Sequence, residues 1–123
     1  FYTVEAPIAR NPERPSHRIV HPDGSRAVTH CRVLRRFSDA SYIACWLETG
    51  RTHQIRVHMA SIGYPLVGDP MYGNARRNAC YPMARQALHA YVFRFIHPRT
   101  GKREQFTAEL PDDVKTLLAR LLS

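Results

Sequence analysis

The hydrophobic pattern of the chain changes its period within a few residues near the middle. Residues 42–47 form a run of β-favouring side chains, whereas Ile55, Met59 and Ile62 recur at helical spacing. We therefore predict a strand followed closely by a helix over Thr52–Ile62, with Thr52 as its N-cap.

Turn-forming residues divide the rest of the chain into short elements. Three prolines and an Asp-Gly turn lie within 10–26, which predicts a loop with at most a short extended stretch. The segment 63–79 begins with Gly63, placed to end the helix, and its length is typical of functional loops. The remaining predicted elements are a strand over 1–8, a hairpin of 27–37 with 42–47, a hairpin of 88–96 with 103–108, and a helix over 111–122. The predicted fold class is α+β, with a mostly antiparallel mixed sheet and helices.

The chain length predicts one folded unit. With 123 residues and 44% hydrophobic residues, the chain has enough apolar side chains for a modest core. It begins at Phe1 rather than at an initiator Met, so we expect a piece of a longer protein. The interpretation is a single partial domain that spans residues 1–123.

The basic side chains are almost all arginine. The formal net charge is +8, and Lys102 and Lys115 are the two lysines among 18 basic residues. Arginine makes planar, bidentate contacts with phosphate and stacks on bases, whereas a surface charged only for solubility uses lysine freely. The composition indicates a polyanionic partner, with nucleic acid the leading class, and a generic basic surface is the alternative that composition leaves open.

The cysteines and the hydropathy pattern indicate the compartment. Cys31, Cys45 and Cys80 are odd in number, and no C-x-x-C spacing suggests zinc or a redox pair. No apolar run is long enough to cross a bilayer, and no signal peptide or lipidation motif is recognisable. We therefore expect reduced thiols and a cytoplasmic location, without a membrane partner.

The densest cluster of polar side chains lies at 48–58 and has the sequence E-T-G-R-T-H-Q-I-R-V-H. The free N–H groups and the dipole of a helix N-terminus favour an anion. Arg51 and His53 lie beside the N-terminus of the predicted helix. Arg56 projects at the border of the apolar stripe, next to Met59, so its guanidinium is expected to be partly buried. A buried arginine needs a carboxylate or phosphate partner.

Three other interpretations compete for this cluster. His53 and His58 are five residues apart, about 140° around a helix, so they cannot share a metal as an i, i+4 pair does. Neither Ser61 nor any of the three cysteines lies in a recognisable nucleophile signature. An ordinary amphipathic helix with a solvated basic face competes poorly, because Gly50, the helix cap and the Gly-rich loop after the helix form one continuous unit.

A long central segment resembles the signature of the RluA-type RNA pseudouridine synthases: it is Leu47–Gly73, L-E-T-G-R-T-H-Q-I-R-V-H-M-A-S-I-G-Y-P-L-V-G-D-P-M-Y-G. Shorter stretches resemble the same family in order and spacing, so the resemblance covers nearly the whole chain: Val4–Ile8, Arg26–Thr29, Gln86–Ala90, His97–Gly101 and Leu110–Asp113. It implies an enzyme that isomerises uridine in structured ribosomal or transfer RNA, with no cofactor and no metal. Members of the family break the C1'–N1 bond of the uridine, turn the base and rejoin it through C5.

The resemblance also implies which active-site residues the chain has and which it lacks. The family's essential Asp stands in an H-R-L-D segment, and a Tyr further on stacks on the base and acts as a general base. Both lie upstream of the matched region, and H-R-L-D does not occur in this sequence. Arg56 matches the family's third active-site residue, an Arg that pairs with that Asp, and Leu88 matches an apolar residue beneath the base pocket. The candidate contacts to RNA phosphate or ribose are Arg51, His53, Gln54 and His58.

Two functions follow as hypotheses. The first is the C-terminal portion of a pseudouridine synthase catalytic domain, in which Arg56 contributes to a site completed by the remaining half of the domain upstream. The second is a non-catalytic RNA-binding module that keeps this scaffold and lacks the nucleophile. The gene upstream of Phe1 distinguishes them, because only the enzyme needs H-R-L-D there.

Overall fold

The computed structural model describes residues 1–90, 92–96, 103–107 and 109–122, the two short middle ranges through their backbone. The described strands pair in three antiparallel sheets: β1-β4-β5, β2-β3 and β6-β7. The α+β prediction is confirmed, and these sheets are small and antiparallel instead of one mixed sheet. The elements in chain order are β1 (Tyr2–Glu5), β2 (Ile8–Arg10), β3 (Arg18–Val20), β4 (Val28–Arg36), β5 (Ser41–Leu47), α1 (Gln54–Ser61), α2 (Ala75–Asn78), β6 (Val92–Ile96), β7 (Arg103–Thr107) and α3 (Asp112–Leu122).

Strand β4 is the centre of the three-stranded sheet and carries the first hydrophobic cluster. It pairs with β1 on one side and with β5 on the other, which confirms the hairpin predicted from 27–37 and 42–47. Cys31 on β4 is fully buried and packs with Val4 of β1 and Met59 of α1. The sheet therefore holds α1 through Met59, a member of the predicted apolar stripe.

The first predicted strand is interrupted at Pro7. Proline has no N–H to donate to a ladder, and the chain leaves β1 before Pro7 and starts β2 at Ile8. Strand β2 pairs with β3, which is the short extended stretch predicted inside 10–26. Ile8 is buried and packs with Ala27 and Val57, so this small hairpin is also fastened to α1.

Helix α1 begins at Gln54, later than the predicted start at Thr52. Its N-cap is His53, whose φ of 56° is left-handed and whose side chain makes no capping hydrogen bond. The backbone N–H of Gln54 donates to the Arg51 carbonyl at 3.1 Å, so a tight turn takes the place of the predicted Thr52 cap. Gly63 follows the helix at a left-handed φ of 92°, as expected for a glycine that ends a helix.

The predicted C-terminal helix is confirmed as α3, which begins at Asp112 directly after Pro111. Val114 and Leu117 of α3 are buried and pack with Met83 in a third hydrophobic cluster. Helix α3 therefore rests on the chain between α1 and β6. Among the described helices, none combines the length and the apolar character needed to cross a bilayer.

The second predicted hairpin is confirmed as β6 and β7, which pair antiparallel. Residues 88–90, predicted as the start of its first strand, have no regular structure. The predicted turn at 97–101 and the last predicted strand residue, Ala108, lie outside the described residues.

The long loop after α1 is irregular as predicted, except for the single turn of helix α2. Asn74 caps α2, since its side-chain oxygen accepts a hydrogen bond from the Arg77 backbone N–H at 3.2 Å. Gly68 has a left-handed φ of 79°, and a Cβ added there would lie 2.2 Å from the Arg85 carbonyl oxygen. The loop is therefore folded tightly against the segment that leads to β6.

Replacing Gly68 by alanine tests this packing. The added Cβ would collide with the Arg85 backbone at a strained φ, so we expect Gly68→Ala to lower the free energy of unfolding by about 2–3 kcal/mol. Gly50→Ala is the matched control, because a Cβ added at Gly50 meets no atom within 4 Å. Urea denaturation of the full-length protein measures both variants, and equal stability of the two would contradict the tight approach.

Candidate active site

Arg56 forms a bidentate ion pair with a carboxylate of the same chain. Its Nε donates to Oδ2 of Asp69 at 2.9 Å, and its Nη2 donates to Oδ1 at 2.8 Å. Arg56 exposes 9% of its surface and Asp69 exposes none. The prediction that Arg56 is partly buried and needs an anionic partner is confirmed, and in this structure the partner is Asp69.

The loop backbone also holds the Asp69 carboxylate. Its Oδ1 accepts hydrogen bonds from the backbone N–H groups of Met71 at 2.9 Å and Tyr72 at 3.1 Å. Burial raises the pKa of the Asp69 carboxyl, but the hydrogen bonds from Arg56 and from the two backbone N–H groups outweigh it, so this pKa lies below its ordinary value. The hydrogen bonds to Asp69 raise the pKa of Arg56. Both groups are therefore charged near neutral pH.

Tyr72 covers the Arg56 guanidinium and joins three segments. The Arg56 Cζ lies 5.2 Å from the centroid of the Tyr72 ring, within the range of a cation–π contact. The Tyr72 hydroxyl accepts a hydrogen bond from the Arg18 backbone N–H at 2.8 Å and lies 2.8 Å from Nδ1 of His53. Tyr72 therefore links the β2-β3 hairpin, the N-cap of α1 and the loop that carries Asp69.

His53 is held beside Tyr72 as a neutral side chain. Burial lowers the pKa of His53, and the nearby cations Arg56 and Arg18 lower it further. Because the Tyr72 hydroxyl already accepts from Arg18, we assign it as the donor to Nδ1 of a neutral His53. The left-handed φ of His53 costs a non-glycine residue about 1 kcal/mol, and the contact with Tyr72 helps to offset it.

Gln54 and His58, predicted as RNA contacts, lie inside the protein. Gln54 is 3% exposed and His58 is 0% exposed. The Gln54 Nε2 donates to the Val28 carbonyl at 2.9 Å and to the Thr29 hydroxyl at 3.0 Å. His58 bonds the same Thr29 hydroxyl through Nδ1 at 2.8 Å and the Ala6 carbonyl through Nε2 at 2.9 Å. These side chains fasten α1 to the sheet, and the expectation that they contact RNA does not fit this burial.

The other predicted site residues lie at accessible positions. Arg51 is exposed, with its Nε donating to the Arg26 carbonyl at 2.8 Å, and His53 is half-buried. Leu88 is 37% exposed and lines a broad concavity of about 2010 Å³, and Arg56 is not among the residues that line it. The structure thus brings His53 and Arg56 together, because both contact Tyr72. Leu88 lies apart from them, in the lining of the concavity.

Asp69 and Tyr72 are site residues that the sequence did not predict. The periodicity of α1 does not show that the loop after it folds back onto Arg56, and Asp69 lacks the H-R-L-D context of the family's essential Asp. One signal was present in G-D-P-M-Y-G, which carries an acidic and an aromatic residue in a loop too long for a plain connection. That signal indicates a functional loop, but it does not predict that the loop contacts Arg56.

One edge of the Arg56 guanidinium stays available for a ligand. Asp69 occupies two of its five N–H donors, those of Nε and one of Nη2. Nη1 has no hydrogen-bond partner among the described residues, and no buried side-chain N or O atom there lacks one, so Nη1 is accessible. A carboxylate or phosphate oxygen suits this edge. Within the described ranges, no group of three or more His, Cys, Asp or Glu side chains could hold a metal ion.

The fold and the site together define a class of protein: a basic α+β chain with a fixed arginine fork, whose remaining donors suit an oxyanion. Comparison with known proteins narrows this class. The pattern of the RNA pseudouridylate synthase family matches residues 2–61. Over these residues the chain is similar to RNA pseudouridine synthases, and the relatives it matches include ribosomal large subunit pseudouridine synthases D.

Three relatives show how far the similarity extends. An uncharacterized RNA pseudouridine synthase of Bacillus subtilis is 50% identical over 97% of this chain. The ribosomal large subunit pseudouridine synthase D of Escherichia coli is 44% identical over 94% of this chain. The solved structure of human RNA pseudouridylate synthase domain containing 1 matches with a TM-score of 0.75 at 27% identity, over 88% of this chain and 47% of that chain. The chain spans 38% and 39% of the lengths of the two bacterial relatives.

The neutral state of His53 predicts a pH dependence of stability. The fold holds the pKa of His53 below its unfolded value of about 6.5, so protonation favours the unfolded chain and stability falls as pH drops through that value. His53→Asn removes this titration and keeps a residue that tolerates left-handed φ. We expect the free energy of unfolding of the variant to fall less than that of the wild type between about pH 7 and pH 5 in urea titrations. Equal losses in the two proteins would contradict the neutral assignment.

Proposed function

We propose that this chain is part of the catalytic domain of an RNA pseudouridine synthase and that Arg56 is one of its active-site residues. The observation that carries the proposal is the guanidinium of Arg56, which is buried and paired and still offers Nη1 at an accessible edge. It lies in G-R-T-H-Q-I-R, within the segment whose resemblance to the family is most specific. The match of residues 2–61 to the RNA pseudouridylate synthase family supports the reaction class, the isomerisation of uridine in RNA.

The proposed chemistry needs an oriented carboxylate. The C1'–N1 bond of uridine breaks, C1' forms a bond to C5, C5 releases its hydrogen as a proton, and N1 takes up a proton. The family's essential Asp acts on the uridine, and a cationic donor within a few ångströms keeps such a carboxylate ionised and fixed in direction. In our proposal the Nη1 edge of Arg56 supplies these donors, while Asp69 holds the other edge of the guanidinium.

We propose that Arg51 and His53 contact phosphate or ribose of a structured ribosomal or transfer RNA. Both lie at the turn that precedes α1, and Arg51 is exposed. Gln54 and His58 are left out of this set because their polar atoms bond to groups inside the protein. A uridine that reaches the buried Arg56 must leave its stack, and contacts to the RNA backbone offset that cost.

We propose that residues 1–123 form one partial domain and that the rest of the catalytic domain packs into the broad concavity. Apolar side chains from β5, α1 and α3 line it, among them Ile43, Ile55 and Leu121. Leu88 lines it as well, which supports a place for Leu88 in a base pocket completed by the rest of the domain. The greater length of the bacterial relatives supports the same assembly.

We propose a cytoplasmic location for the protein. Cys31, Cys45 and Cys80 are free thiols, which fits a reducing compartment. Fractionation of cells that express the full-length protein tests this location, and recovery in an oxidising compartment would contradict it.

Arg56→Ala in the full-length protein tests the proposed activity. We expect the isomerisation rate to fall by about 10²-fold or more, because the reacting carboxylate loses its orienting donor. Arg120→Ala is the matched control, because Arg120 also lies over a tyrosine ring, with Cζ 5.4 Å from the Tyr81 centroid. Arg120 belongs to α3 and not to the proposed site, so this variant should keep the wild-type rate. The rate is measured as tritium released from C5 of uridine in unmodified ribosomal RNA transcribed in vitro.

Two outcomes of this assay would change the assignment. Wild-type activity of Arg56→Ala would show that Arg56 has no part in catalysis. A full-length wild-type protein that binds RNA but releases no tritium from ribosomal or transfer RNA would indicate the alternative function, a non-catalytic RNA-binding module.

The salt dependence of RNA affinity tests the proposed contact of Arg51. We expect the affinity of the full-length protein to fall steeply with salt, and Arg51→Gln to reduce the slope of log affinity against log salt by about one. Lys115→Gln, at an exposed position on α3, is the control and should keep the wild-type slope. A filter-binding titration with the same RNA measures all three proteins, and an affinity independent of salt would contradict RNA binding.

A further inference from the structure

Asp69 is too deeply buried to act on an RNA substrate by direct contact. Asp69 is 0% exposed, and its carboxylate bonds to Nε and Nη2 of Arg56 at 2.9 and 2.8 Å. A side chain without accessible surface cannot touch an RNA substrate in this structure. Any effect of Asp69 on the proposed reaction must therefore pass through the groups that it bonds, and Arg56 is the side chain among them.

The position of the Asp69 carboxylate is set by its own loop. Its Oδ1 accepts from the backbone N–H groups of Met71 and Tyr72. The side chain of Asn78 clamps the loop on both sides, because its Nδ2 donates to the Asp69 carbonyl at 2.9 Å and its Oδ1 accepts from the Gly68 N–H at 3.0 Å. The carboxylate is a fixed support to which the guanidinium is fastened.

Tyr72 restrains the same guanidinium from its face. Its ring centroid lies 5.2 Å from Cζ of Arg56, and its hydroxyl is bonded to the Arg18 backbone and to His53. The rings of His53 and His17 pack edge-on against it, with centroids at 5.6 and 5.7 Å. The ring cannot swing away from Arg56 without breaking these contacts.

We propose that Asp69 and Tyr72 are positioning residues, which hold the Arg56 guanidinium so that its Nη1 edge faces the reacting groups. This inference rests on the proposed function and adds to it two residues of the loop after α1. The Arg56–Asp69 pair carries no net charge, so the clamp presents directed N–H donors rather than excess positive charge. An arginine free to rotate would keep its charge but lose the direction that a reacting carboxylate requires.

Asp69→Asn in the full-length protein is the first test. It keeps the shape of the side chain but replaces one oxygen, which accepts from Arg56, by an NH₂ group that cannot. We expect kcat to fall roughly 10²-fold, while KM for ribosomal RNA transcribed in vitro changes little, because Asp69 does not contact RNA. Asp39→Asn is the matched control: Asp39 accepts from the Tyr81 hydroxyl at 2.9 Å on the surface and should keep both constants.

Non-additivity identifies Arg56 as the route of the effect. In an Arg56→Lys background the planar fork is absent, so Asp69→Asn should lower kcat far less than it does in the wild type. Equal fold losses in the two backgrounds would overturn the positioning role, because Asp69 would then act without Arg56.

A second variant decides the question if Asp69→Asn does not fold, as judged by near-ultraviolet circular dichroism. Tyr72→Leu removes the ring and should lower kcat with little change in KM, while Tyr72→Phe keeps the ring over Arg56 and should recover most of the rate. Wild-type kcat in Tyr72→Leu would overturn the inference for Tyr72, and wild-type kcat in Asp69→Asn would overturn it for Asp69. In either case a low kcat of Arg56→Ala leaves the proposed active-site role of Arg56 standing, whereas wild-type kcat of Arg56→Ala removes that role.

Discussion

The buried ion pair between Arg56 and Asp69 is the interaction on which the rest of this structure depends. Taking a guanidinium and a carboxylate out of water costs several kcal/mol for each ion, and their attraction offsets this only when geometry and remaining hydrogen bonds are satisfied. Here both carboxylate oxygens meet Arg56, and Oδ1 also accepts two backbone N–H groups. The loop after α1 must therefore keep one conformation, since any other would leave a buried charge unpaired.

A polar layer between α1 and β4 fixes the rotation of the helix in the same way. Apolar packing of Met59 and Val57 is not directional and would tolerate some rotation of α1. Gln54 and His58 do not allow this rotation, because both are buried and both bond to the Thr29 hydroxyl. Rotation would leave these groups without partners at a cost of about 1–3 kcal/mol each. The layer therefore aims Arg56 at the loop that carries Asp69.

Much of the fold was predictable because it follows from local pattern. The β4-β5 and β6-β7 hairpins and helix α3 follow from residue preferences and turn residues, and the break at Pro7 follows from its missing N–H. The predicted start of α1 was wrong by a short distance, since His53 has a left-handed φ that its contact with the distant Tyr72 helps to stabilise. The burial of Gln54 and His58 was also not predicted, because polar residues in a helical pattern are normally expected on the solvent-exposed face.

By itself the sequence determined the order of strands and helices, the resemblance to a family of RNA-modifying enzymes, and the need of Arg56 for an anion. The order of elements and the need for an anion follow from composition, spacing and the cost of burying a charge, whereas the resemblance is carried by the motif at Leu47–Gly73. Only the tertiary structure decided that the anion is Asp69 and that Tyr72 covers the guanidinium. The physical reason is that these contacts join separate segments, and the folding of the loop onto α1 brings them within bonding distance.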